Sequence, residues 1–202
     1  MINRINSSLS YNRSEITHLA SLKPHQSAMW DSPPDDNIIA LKSKIRGQLL
    51  SIQNSICAYC GLDLGGTSEG QIEHIAPKAK YPDFTFEKKN LAMACHHCNG
   101  FSKKGNHHTI SNKVNRYSSC SFKLVHPYFD DPSLHYGWVS QNKKVIIKAL
   151  SSKGTYSIKM LKLNNLKMAE LRGKKVIADI VIASQTTPQI DDQLIQSVIN
   201  YK

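Results

Sequence analysis

Between Asn37 and Ile52 the apolar positions Ile38, Leu41, Ile45, Leu49 and Ile52 recur at steps of three and four, the spacing of one face of an α-helix. Pro33 and Pro34 cannot sit inside a helix, and Asp35 or Asp36 is placed to cap the helix that follows. From Cys57 to Asn106 the helical period disappears and Gly, Pro, His and Cys dominate. That pattern predicts knuckles, short strands and one short helix, held by something other than a large core. Further on, Val145–Leu150 reads as a strand, and Lys167–Ala183 as a helix with Leu171, Ile177 and Val181 near one face. Pro188 opens a last, shorter helix through Ile199. The chain thus divides into a leader (1–36), an amphipathic helix (37–56), a cysteine-rich core (57–110) and a basic, mainly helical C-terminal region (111–202). The helix stripe carries no acid–base pair, so Asn37–Ile52 is expected to brace the core or dock a partner protein and take no part in chemistry.

Length changes little in this picture: 202 residues suit one domain with an appendage. No apolar run approaches the roughly 20 residues that span a bilayer. Met1–Asn12 holds no continuous apolar run of the kind a secretory signal needs, so the expected location is the cytoplasm, away from membranes. Charge says more. Lys and Arg number 26 against 15 Asp and Glu, a net of +11, and the excess is uneven. Residues 1–56 carry +2, residues 57–106 carry +1 and residues 107–202 carry +8. A basic platform beside the core suits a polyanion, of which nucleic acid is the commonest.

Four of the five cysteines form C-x-x-C twice, as Cys57-Ala-Tyr-Cys60 and Cys95-His-His-Cys98. Two cysteines three positions apart in a tight turn point both sulfurs into one hemisphere, and two such turns complete a tetrahedron around Zn²⁺. A disulfide reading needs an oxidising compartment, which nothing here indicates. Cys120 stands apart as a buried thiol.

Between and after these knuckles lie Gln71-Ile72-Glu73-His74-Ile75-Ala76-Pro77-Lys78, then Asn90-Leu91, then Asn99 directly after Cys98, then Lys103-Lys104-Gly105-Asn106. Successive strand residues such as Glu73 and His74 project to opposite sides, unless a bulge or a strand end brings both to one site. This ordered set resembles the HNH nuclease family, the zinc-stapled branch of the ββα-metal nucleases. The resemblance implies an α+β fold: a small ββα-metal core with a four-cysteine zinc site, embedded in mainly helical flanks. The strings His126-Pro127-Tyr128-Phe129-Asp130, Leu161-Lys162-Leu163-Asn164 and Leu171-Arg172 are similar to those of HNH proteins that serve as the nuclease partner of an ATPase in Septu-type and retron anti-phage systems.

Carried over residue by residue, the resemblance gives His74 the part of general base and makes Glu73 and Asn99 ligands of a catalytic Mg²⁺ or Mn²⁺. Asn90 becomes a brace that orients the histidine, and Lys103 or Lys104 a phosphate contact. Gly100-Phe101-Ser102 is one residue longer than the usual spacing. It leaves open which lysine is the equivalent, and whether Asn106 or His107 approaches the metal. The implied activity is phosphodiester hydrolysis of double-stranded DNA. A non-catalytic zinc-finger module, or a toxin cutting RNA with the same site, are the alternatives; a binding module has no need of Glu73, His74 and Asn99 together.

Overall fold

A computed structural model describes residues 2–65, 69–141 and 143–184. Helix α1 (Arg13–Ser21) opens on a capping box: the Asn12 side chain accepts from the Glu15 N–H, and the Glu15 carboxylate accepts from the Asn12 N–H. A single turn, α2 (Ala28–Asp31), follows. Helix α3 (Asp36–Ile52) is the amphipathic helix of the sequence, capped as anticipated by Asp35, which accepts from the Ile38 N–H at 3.0 Å. Its stripe Ile38, Leu41, Ile45 and Leu49 is buried with Leu9, Tyr11, Trp30 and Phe86, against Leu91 and Met93. Burial stabilises each such side chain by roughly 1.5–3 kcal/mol. At the end of α3 the Gln53 amide accepts from the Met93 N–H and donates to the Met93 carbonyl, which stitches the helix to the strand below it.

Strands β1 (Gly70–His74) and β2 (Leu91–Cys95) pair antiparallel, from Gly70 opposite Cys95 to His74 opposite Leu91. Helix α4 (His96–Asn99) follows β2 without a linker. Two strands and a short helix, in that order, form the ββα unit expected for residues 57–110.

The C-terminal flank begins with short strand pairs. β3 (Ile110–Asn112) pairs with β4 (Ser121–Phe122), and β5 (Tyr136–Trp138) with β6 (Ile147–Ala149). Helices α5 (Ser152–Met160) and α6 (Leu166–Ser184) complete the described chain. The strand read at Val145–Leu150 is β6, and the helix read at Lys167–Ala183 is α6. The helix read from Pro188 lies outside the described residues. No described helix is long and apolar enough to cross a membrane.

Candidate active site and zinc site

The four cysteines of the two knuckles converge. Their sulfurs all lie within 4.8 Å of one another, and every one of the residues is buried. Cys60 and Cys95 are 3.8 Å apart, which is the edge, about 3.8 Å, of a tetrahedron of sulfurs with Zn–S bonds near 2.3 Å. The Cys95 N–H donates to the Cys57 sulfur at 3.3 Å, a contact that favours thiolate at that position. The donor set and its spacing fit zinc. Cys120 lies elsewhere, with its sulfur near the Val114 and Arg116 carbonyls.

Because Asn99 directly follows Cys98, the zinc knuckle also places the first residue of the other site. The Asn99 amide donates to Gln71 Oε1 at 3.0 Å, which leaves Asn99 Oδ1 to accept. Gln71 is two residues before Glu73 and shares its strand face, so this bond aligns Asn99 with Glu73. Glu73 and His74 end β1, and both line one cleft of about 230 Å³ with Trp30, Asp31, Lys78, Asn99, Lys104 and Asn106. The strand end brings the opposed pair to a single site.

His74 is buried. Its Nε2 lies 3.1 Å from the Thr85 carbonyl oxygen. A carbonyl only accepts, so Nε2 carries the proton and Nδ1 is the basic nitrogen. The Trp30 ring stands edge-on at 4.6 Å. Burial, reinforced by the charges of Lys78 and Lys104, pulls the His74 pKa down to about 3, so the ring is neutral at pH 7.

Glu73 is buried too. Tyr59 donates its hydroxyl to Glu73 Oε1 at 3.1 Å, and the Lys104 ammonium pairs with the same oxygen at 2.5 Å. Burial raises the Glu73 pKa, and the Lys104 charge is the largest force against that shift. For a divalent ion the cleft offers Glu73 and Asn99 Oδ1, hard oxygen donors of the kind Mg²⁺ uses when phosphate oxygens and water complete its shell. Oε1 of Glu73 is already held by Lys104 and Tyr59, so an ion here would draw on the other carboxylate oxygen.

Asn90 is the best-anchored residue of the motif. Its Oδ1 accepts from the Ala76 N–H at 2.6 Å and from the Tyr117 hydroxyl at 2.9 Å; its Nδ2 donates to the Ala76 and Phe84 carbonyls. It thereby ties the 75–90 loop, which carries Thr85, to the strand. Behind it, the Tyr128 N–H donates to His126 Nδ1, so His126 Nε2–H donates to the Tyr117 oxygen at 3.0 Å. Tyr128 also donates its hydroxyl to the Leu91 carbonyl, opposite His74. The His126–Asp130 string therefore packs, as its aromatic–proline corner suggests, and it packs against the back of the site.

The two lysines separate. Lys104 is 1 % exposed and bonds Glu73 and the His74 carbonyl, at 2.6 Å for the latter, so it faces the carboxylate and not solvent. Lys103 is partly exposed beside Lys162 of the Leu161–Asn164 string; burial first, then the Lys162 charge, lower its pKa. The extra residue of Gly100-Phe101-Ser102 is taken up in a tight turn, closed at Gly105 with φ of 39° and with the Phe101 carbonyl where a Cβ would stand. Asn106 lines the cleft, while His107 is exposed and outside it. Sequence reasoning missed Tyr59, Gln71, Thr85 and Trp30. Only Tyr59 carried a local signal, lying between two cysteines. Trp30 and Asp31 also put the leader in the cleft wall, with Asp31 held to Lys78 at 2.9 Å, where no such part was expected.

A ββα unit with a neutral buried histidine, a carboxylate and an asparagine on one cleft, stapled by four cysteines, defines an HNH-type core. Residues 57–101 match the family model described as HNH endonuclease. Two relatives extend the likeness into the flanks. The chain is 31 % identical over 126 residues to the Septu protein PtuB of Bacillus thuringiensis, covering 62 % of this chain and 43 % of that one. It is 30 % identical over 149 residues to the Septu protein PtuB of Bacillus mycoides (strain KBAB4), covering 64 % and 50 %. Both levels of the resemblance read from the motifs are borne out. The chain spans about half the length of these relatives.

Proposed function

We propose that this chain is a metal-dependent endonuclease that hydrolyses phosphodiester bonds of DNA, as the cytoplasmic effector nuclease of an anti-phage defence assembly with an ATPase partner. The observation that carries the reading is His74, neutral, proton-bearing at Nε2 and basic at Nδ1, in a cleft with Glu73 and Asn99. Nδ1 takes a proton from water as the water oxygen attacks phosphorus and the bond to the 3′ oxygen breaks. A phosphate anion in the cleft acts against the Lys78 and Lys104 charges that, after burial, depress the basicity of His74. Asn90, through Ala76 and Phe84, keeps the Thr85 carbonyl on Nε2 and so keeps the tautomer.

Glu73 and Asn99 would hold a divalent ion, which would supply charge stabilisation at the phosphate and at the leaving oxygen. Lys104 balances Glu73, and Lys103 with Lys162 forms the phosphate contact beside the cleft. The likeness to the Septu proteins supports the defence role, and the +8 of residues 107–202 supports a nucleic-acid substrate.

The test is nicking of supercoiled plasmid with Mg²⁺, Mn²⁺ or EDTA, beside a structured RNA. The expected result is metal-dependent DNA cleavage that His74→Ala lowers by ~10²–10⁴-fold with zinc content unchanged. Raised metal should partly rescue Asn99→Ala and leave His74→Ala inactive. Cleavage by His74→Ala at the wild-type rate overturns the assignment, and cleavage of RNA alone moves the substrate to RNA.

A further inference from the structure

Arg172 lies on α6, in the Leu171-Arg172 string, and is 3 % exposed. Its Nη1 donates to the Val145 carbonyl at 3.0 Å. Its Nε and Nη2 are buried with no hydrogen-bond partner. A guanidinium cannot shed its charge to relieve this, so idle donors in such a place call for a partner. Arg172 and Cys60 line one small cavity of about 160 Å³, together with Gly61, Leu62, Trp138 and Lys175. Burial lowers the Arg172 pKa, and the groups that oppose burial are the sulfurs of Cys60 and Cys98.

The zinc site has the complementary need. Four thiolates around Zn²⁺ leave a net charge of about −2 inside the protein. Lys104, the other buried cation among the described residues, is bound to Glu73. Lys175 is directed to Asp63 at 3.7 Å and Asp179 at 3.4 Å. We propose that Arg172 is the counter-cation of the four-cysteine zinc site, on the small cavity it shares with Cys60. The arginine fork offers several donors at fixed angles, which a lysine does not. That role makes α6 a structural part of the zinc site, 74 residues after Cys98 in the chain. Met168, one turn earlier on α6, is buried in the same cluster as the four cysteines.

The test is zinc retention by the full chain, read by competition with a colorimetric chelator at neutral pH and independent of any cleavage. Arg172→Met keeps the length of the side chain and removes charge and donors. It is expected to weaken zinc binding by about 10–100-fold, the usual effect of losing an outer partner of a metal ligand, and Arg172→Lys is expected to restore part of it. A merely structural arginine, bracing the Val145 carbonyl, predicts a lower melting temperature with wild-type zinc affinity, and that result overturns the proposal. A second measurement needs no variant. Stripping zinc from the wild-type chain should remove hydrogen-exchange protection from the amides around Met168–Arg172 together with those of the knuckles. Protection of α6 that survives zinc removal also overturns the proposal.

Discussion

The β1–β2 hairpin carries a charged site at each end, and the two ends treat charge in opposite ways. At the Gly70–Cys95 end four buried sulfurs close on one another, a closed donor set with a buried guanidinium behind it. At the His74–Leu91 end the carboxylate, the imidazole and an ammonium are equally buried, yet the space between them opens as a cleft. A closed set of four ligands holds its ion and does nothing else. A site with open positions leaves room for water and phosphate. One hairpin thus holds a closed sulfur cluster at one end and an open polar cleft at the other, with α4 carrying Cys98 of the first and Asn99 of the second.

The largest effect is expected at the sulfur end. Cys98→Ser should abolish zinc binding and unfold the core, since structural zinc contributes on the order of 10 kcal/mol to small sites. Cys120→Ser, outside the cluster, should retain a full zinc complement. Metal analysis with circular-dichroism melting distinguishes the two.

Acid acts at the other end. His74 is held near 3, and burial lowers His126 as well, against an unfolded value of about 6.5. Below that value the unfolded chain binds protons that the folded chain refuses. The stabilisation is therefore complete above about pH 6.5 and is lost as pH falls toward 3. It amounts to at most about 1.4 kcal/mol per pH unit for each histidine. Urea unfolding of wild type and His74→Gln at pH 7, 6 and 5, at matched zinc loading, should show the shallower loss in the variant.

The smallest effect lies behind the cleft. Tyr117→Phe removes the hydroxyl between Asn90 and His126 and should cost about 1–3 kcal/mol. Zinc content should stay constant while cleavage falls, because the loop that carries Thr85 loosens. Equal cleavage by wild type and Tyr117→Phe would show that Asn90 holds the loop without help.

What was legible in the chain follows from the range of each interaction. The zinc site is two local turns, so its spacing displays it. Glu73, His74, Asn90 and Asn99 sit in short strings around one hairpin, and α3 announces itself by its period. The strand pairs at 110–149 have only two or three residues each, too few for an alternation to stand out. Tyr117 and Arg172 each reach a partner 27 residues away, Asn90 and Val145, and no local pattern predicts where a buried tyrosine or arginine will find its partner. Lys104 shows the limit within a motif: its neighbour Lys103 has the same side chain, and only the turn closed at Gly105 turns one inward and leaves the other at the surface.

Trp30 gives the motif a boundary that differs from that of its matched segment. A fragment cut to residues 57–101 would carry all four cysteines, Glu73, His74, Asn90 and Asn99, and still be missing the wall against which the His74 ring rests. Exposed to water on that side, the imidazole would regain an ordinary affinity for protons and a freedom to rotate off Thr85. The matched segment is thus not portable on its own. Grafting it into another scaffold means supplying a ring in the place of Trp30.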